Sequence, residues 1–172
     1  MTAYVALLRA VNVGGATTLP MADLRALCAR AGLAGVRTYV ASGNVVFSSG
    51  GSEQDVRAAL EAALAAHAGR PVGVLVRTAD EMAAVLAGNP FPHAAPSRTV
   101  AIFLDGSPPS DALAAATGRA DEEIALGRRE IYVHYPSGIG TSKLKIPAAR
   151  TGTARNLNTV ARLAAMAAEA GA

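Results

Sequence analysis

The chain has no tryptophan, one cysteine and only two lysines among 172 residues, and aromatic side chains make up just 4 % of it. Each shortage excludes something. A lone cysteine, Cys28, excludes an internal disulfide. It lies with Leu24, Leu27 and Ala31 at helical spacing, so a buried, inert thiol is expected there rather than a nucleophile. Scarce aromatics argue against a sheet that stacks bases in the manner of RNA-recognition modules. No charge-free apolar run approaches the roughly 20 residues that cross a bilayer, so no membrane partner is expected. The first residues carry no basic flank and no signal-like cleavage site, which reads as a cytoplasmic protein.

Metal and catalytic patterns are also missing. His67, His93 and His134 are far apart and show no ligand spacing, so no metal and no cofactor are expected. No Ser-His-Asp order has a supporting motif, and no carboxylate pair stands out as an acid–base couple. Asp121, Glu122 and Glu123 read as a solvated acidic turn. The sequence thus presents no catalytic constellation. A net charge of +3 with a pI near 9.4 is a mild basic bias, weaker than a dedicated nucleic-acid binder shows.

What is present is a well-punctuated α+β pattern. Residues 3–9 read as a strand. Pro20 fronts a helix that stops at Gly32. "VRTYVA" (36–41) and "NVVFSS" (44–49) flank Ser42–Gly43 as a hairpin. "SEQDVRAALEAALAAHAG" (52–69) has a Ser cap and acids in its first turn, and "PVGVLVR" (71–77) is another strand. The order β-α-β-β-α-β over 1–77 is that of the ferredoxin-like, or split βαβ, unit.

A connecting helix and a proline-rich break fill 78–97. Residues 98–172 then repeat β-α-β-β-α: "TVAIFL" (99–104), a capped helix at Ser110–Thr117, strands at 122–126 and 130–135, and a helix from Thr153 to about Ala170. No last strand is evident in this half. The pattern predicts two ferredoxin-like halves and an internal duplication. Tyr4, Ala6 and Leu8 alternate with Val5 and Leu7, and both sets are apolar, so both sheet faces should be covered.

Five segments in order, "LLRAVNVGG...LPMADLRAL", "VRTYVASGNVVFSS", "NPFP", "IYVHYPSGIGTSKL" and "TARNLNTVARLAAMA", resemble a bacterial family, domain of unknown function family 1697. The resemblance runs nearly the full length. It implies ferredoxin-like α/β units in a small cytoplasmic protein and implies no reaction. The chain departs from the family at Ala10, where glycine is usual, near Ala16 to Thr18, where lysines are usual, and at Leu157, where tryptophan is usual.

Three glycine-containing loops stand out, and two of them could bind an anion. Asn12, Gly14 and Gly15 follow Arg9 at the end of the first strand. Glycines there could cradle an anion at a helix start, or simply allow a tight corner. Ser42–Gly43–Asn44 reads as hairpin chemistry at the other end of the sheet. "SGIGTSKLK" (137–145) holds both lysines, Lys143 and Lys145. Beyond it, Thr153 is placed to cap the last helix, with Leu157, Val160, Ala161 and Ala164 on its buried face. Arg155, Asn158, Thr159 and Arg162 share the other face.

That face could be merely solvated. The expectation carried forward is an anion site built from the helix start, Lys143, Arg155, Asn156 and Asn158. The corresponding function is non-catalytic binding of a small anionic or phosphate-bearing ligand. Nucleic-acid binding and a dimeric interaction or regulatory role are the alternatives, and the oligomeric state is left open.

Overall fold

A computed structural model describes residues 1–9, 21–39 and 43–171. It is an α+β structure with two four-stranded antiparallel sheets. The elements are β1 (Thr2–Leu8), α1 (Met21–Arg30), β2 (Ala34–Tyr39), β3 (Asn44–Ser49), α2 (Glu53–Ala68), β4 (Val74–Thr78) and α3 (Ala79–Ala87). They continue with β5 (Thr99–Phe103), α4 (Ala112–Ala115), β6 (Glu123–Leu126), β7 (Glu130–His134), β8 (Thr153–Asn156) and α5 (Leu157–Ala170). By packing, Met1–Met82 with Leu163–Ala172 forms one compact unit and Ala83–Arg162 the other. The sequence boundaries at 77 and 97 follow element order; the packing boundaries fall inside α3 and α5.

In the first unit the strands lie in the order β2-β3-β1-β4. The hairpin between β2 and β3 turns at Gly43, whose φ of 83° is a conformation glycine adopts without strain. Helix α2 begins with a reciprocal capping box. The Asp55 N–H donates to Ser52 Oγ at 3.1 Å, and the Ser52 N–H donates to Asp55 Oδ2 at 3.2 Å. It ends at Gly69, in the left-handed region. One sheet face presents Tyr4, Ala6, Leu8, Val45 and Phe47 to the helices, where they cluster with Leu24, Leu60 and Leu64. Cross-strand partners Tyr4 and Phe47 stack with ring centroids 5.8 Å apart. Val5, Leu7 and Val46, on the other face, are also fully buried, as the alternation required.

The second unit repeats the strand order as β6-β7-β5-β8. Val100, Ile102, Ile131 and Val133 form one face and pack on Ala112 and Ile146. Ala101, Tyr132 and Arg155 stand abreast on the other. There the Tyr132 hydroxyl donates to the Val85 carbonyl of α3 at 2.7 Å.

Three sequence expectations are corrected in this unit. The last strand does exist. Thr153–Asn156 is β8, paired antiparallel with β5 along the edge that β7 leaves open. Thr153 is therefore not a helix cap. Helix α5 starts at Leu157, and Asn156 Oδ1 accepts the Thr159 N–H at 2.9 Å in the capping role. A threonine suits a strand as well as a cap, and four residues are too few to show a two-residue period. The helix expected over Ser110–Thr117 spans only Ala112–Ala115 and has no side-chain cap. It stops because Thr117 is drawn into an isolated backbone bridge with Lys145.

Candidate functional site

The chemistry of the second unit gathers where the segment 117–122 meets the loop 137–150. Gly138 turns the loop with φ 93°, and its N–H donates to the Tyr135 carbonyl at 3.0 Å. Two serine hydroxyls then tie the loop to the acidic turn: Ser137 Oγ donates to Asp121, and Ser142 Oγ to Glu122. The Glu122 carboxylate also accepts the Ala120 N–H at 2.6 Å, while Arg119 Nε donates to the Glu122 carbonyl at 2.7 Å. Glu122 is buried, so the expectation of a wholly solvated acidic turn is corrected at this residue. The Ser142 hydroxyl, and after it the Ala120 N–H, hold its carboxyl below the usual carboxylate range, with Arg119 adding to them. A cleft of about 570 Å³ opens here, lined among others by Gly118, Asp121, Ser137, Ser142 and Lys143.

A second cleft, of about 500 Å³, lies along the continuation of the same segment. It is lined by Thr117, Lys145, Ile146, Pro147, Ala149 and Arg150. Thr117 and Lys145 bridge through their backbones. Ile146 is buried in the hydrophobic cluster and Ala149 packs against it, so the apolar side of this cleft is anchored. Lys145, Pro147 and Arg150 are exposed.

The two lysines, two positions apart, thus line clefts of different character. The cleft of Lys143 includes two carboxylates in its lining. The cleft of Lys145 includes a second cation, Arg150, and no carboxylate.

Other expected site residues go elsewhere. Arg155 lies on β8 and is buried, donating to Thr153 Oγ1 at 2.6 Å and to the Ala154 carbonyl at 2.9 Å. Burial lowers its pKa to about 10, which still leaves it charged at neutral pH. Asn156 caps α5 and Asn158 is exposed in its first turn. None of these three lines either cleft. Arg9 belongs to the first unit. Its N–H donates to the Gly73 carbonyl at 2.9 Å, and its side chain lies over Gly73, where a β-carbon would stand 3.1 Å from Cδ. Asn12, Gly14 and Gly15 lie outside the described residues.

Lys145 was noted beside Lys143 but left out of the expected site, and Thr117 and Arg150 were missed, because nothing local ties a residue at the end of an alanine-rich segment to one 33 positions later. Cys28 is buried, as its spacing suggested, and desolvation pushes its thiol up to about 11. Among the described residues, no group of three or more His, Cys, Asp or Glu could hold a metal ion. No described helix is long and apolar enough to cross a membrane.

The family model described as Protein of unknown function (DUF1697) matches residues 1–132. The chain belongs to this family. The DUF1697 match takes in Thr117 and the acidic turn and ends before Lys143, Lys145 and Arg150. A conserved bacterial protein from Streptococcus pneumoniae has a similar solved structure, at 27 % sequence identity and a TM-score of 0.81. The likeness covers 98 % of this chain and 99 % of that one, so it spans both sheets. Among curated proteins, none matches the chain.

Proposed function

We propose that the protein is a non-catalytic binder of a small anionic ligand and that the cleft of Lys145 and Arg150 is its site. The observation that carries this reading is the lining of that cleft: two cations and a threonine around about 500 Å³, with no carboxylate among them. The volume falls in the range of small-molecule pockets. An anion there could draw charge-assisted hydrogen bonds worth about 1.5–3 kcal/mol each. Less the cost of association, two such bonds support a dissociation constant on the order of micromolar to millimolar.

The cleft of Lys143 suits an anion less well, since Asp121 and Glu122 repel it. The frame is read as two ferredoxin-like units from an internal duplication, supported by the repeated strand order. Nucleic-acid binding has less on its side. Of the aromatics on the described strands, Tyr4, Phe47, Phe103 and Tyr132 are buried and only Tyr39 is half-buried, so no paired stacking surface is offered.

Thermal unfolding with inorganic phosphate, sulfate, hexanoate, butyl phosphate, glucose 6-phosphate and AMP, at fixed ionic strength, tests the reading. A ligand at 100 times its dissociation constant adds about 2.7 kcal/mol of stability. Lys145→Ala and Arg150→Ala should each lose most of that shift and remain folded, because both side chains are exposed. The reading fails if no anion stabilises the wild type, or if the shift persists in both variants.

A further inference from the structure

The cations of this cleft flank an apolar wall, and that narrows the ligand. We infer that the site takes an aliphatic anion, a phosphate monoester or carboxylate with a short hydrocarbon body, in preference to a bare anion, a sugar phosphate or a nucleotide. This rests on the anion reading above and adds the chemistry of the rest of the ligand. Between Lys145 and Arg150 in sequence, the lining residues are Ile146, Pro147 and Ala149, all hydrocarbon. Ile146 belongs to the buried cluster and Ala149 packs against it, so this wall is fixed.

The backbone beside it is fixed as well. The Thr117 N–H donates to the Lys145 carbonyl at 2.9 Å, and the Lys145 N–H to the Thr117 carbonyl at 2.8 Å. A preformed wall spares the ligand the entropy of ordering it. The lining has no aromatic ring on which a nucleobase could stack, and Thr117 supplies its only side-chain hydroxyl. With no carboxylate or amide side chain in the lining, a sugar's hydroxyls would find few partners there. A hydrocarbon body loses nothing on leaving water and gains from the wall.

Calorimetric titration of the full chain with inorganic phosphate and with ethyl, butyl and hexyl phosphate tests the inference. Glucose 6-phosphate, AMP and hexanoate complete the series, all at one ionic strength. Each methylene that reaches the wall should tighten binding by up to about fourfold. Hexyl phosphate should therefore bind at least tenfold more tightly than inorganic phosphate or glucose 6-phosphate. Hexanoate separates the two head groups: affinity equal to that of hexyl phosphate assigns the preference to the hydrocarbon body alone. Lys145→Gln with Arg150→Gln should abolish the tight binding of hexyl phosphate.

A flat series, in which inorganic phosphate binds as well as hexyl phosphate, overturns the inference and leaves the anion reading standing. Hexyl phosphate binding the double variant unchanged also overturns it, since the hydrocarbon is then held elsewhere. No binding by any anion overturns both.

Discussion

Thr117 and Lys145 hold each other through two backbone hydrogen bonds, of 2.9 and 2.8 Å, across 28 residues of sequence. This pair ends α4, lines the cleft of Lys145 with both its members, and brings Gly118 against the neighbouring loop. A β-carbon on Gly118 would stand 2.1 Å from the Lys143 carbonyl oxygen, and the residue's φ is +71°.

Gly118→Ala should consequently be among the most damaging single-methyl changes in the second unit. Left-handed backbone alone costs an ordinary residue about 1–3 kcal/mol. Here the obstacle is also backbone, which cannot rotate aside. Urea unfolding should show a loss of at least about 2 kcal/mol. Gly138→Ala serves as the contrast, having a similar φ but nothing within 4 Å of its β-carbon. A Gly118→Ala variant no worse than Gly138→Ala would contradict the close approach.

The start of α5 makes a second distinction. Asn156→Ala removes the oxygen that accepts the Thr159 N–H and should cost about 0.5–2 kcal/mol. Helix content by circular dichroism should melt earlier in this variant. In Thr153→Val the strand-favouring shape is kept and the hydroxyl that accepts from Arg155 is lost. It should leave the stability of α5 unchanged. The reverse ranking would mean that the helix begins at Thr153.

Much of the fold was legible because its signals are local. The capping box of Ser52 and Asp55, the glycine at 43 and the alternation of Tyr4, Val5, Ala6 and Leu7 each read out within a few residues. What escaped depends on pairing at a distance. Strand β8 is four residues long and is a strand only because β5 lies beside it. Glu122 looked solvated because Ser142, which bonds it, is 20 positions away. The expected site set held Lys143 but none of the residues that line the cleft of Lys145, for the same reason. The lysines stood out as the only two in the chain, but nothing in the sequence joins Thr117 or Arg150 to Lys145 or sends Arg155 into the interior.

Glu122 should make the second unit acid-sensitive. Its folded pKa is lowered from an ordinary value of 4.5, chiefly by the Ser142 hydroxyl. The stability that comes with the charged form is complete above that ordinary value. It is lost as pH falls through the lower, folded value. Glu122→Gln cannot titrate. Unfolding midpoints measured from pH 6 to pH 3 should fall less steeply in Glu122→Gln than in the wild type. Parallel profiles would mean that the Ser142–Glu122 tie does not favour the charged carboxylate.

Cys28 should resist thiol reagents until the protein unfolds. With its pKa pushed up to about 11 by burial, the reactive thiolate is on the order of one part in a thousand at pH 8. Labelling by a chromogenic disulfide should be negligible over minutes in buffer and complete in urea. Rapid labelling of the native protein would contradict the burial of this thiol.

The most direct test of the anion site is a map of where an anion lands. Uniformly 15N-labelled protein is titrated with butyl phosphate at constant ionic strength, and amide shifts are followed residue by residue. The shifts should saturate together at Thr117, Lys145, Ile146 and Arg150, and be small at Gly138, Ser142 and Lys143. Shifts that centre on Gly138 to Lys143, or no saturable shift at the Lys145–Arg150 cleft, would contradict the account.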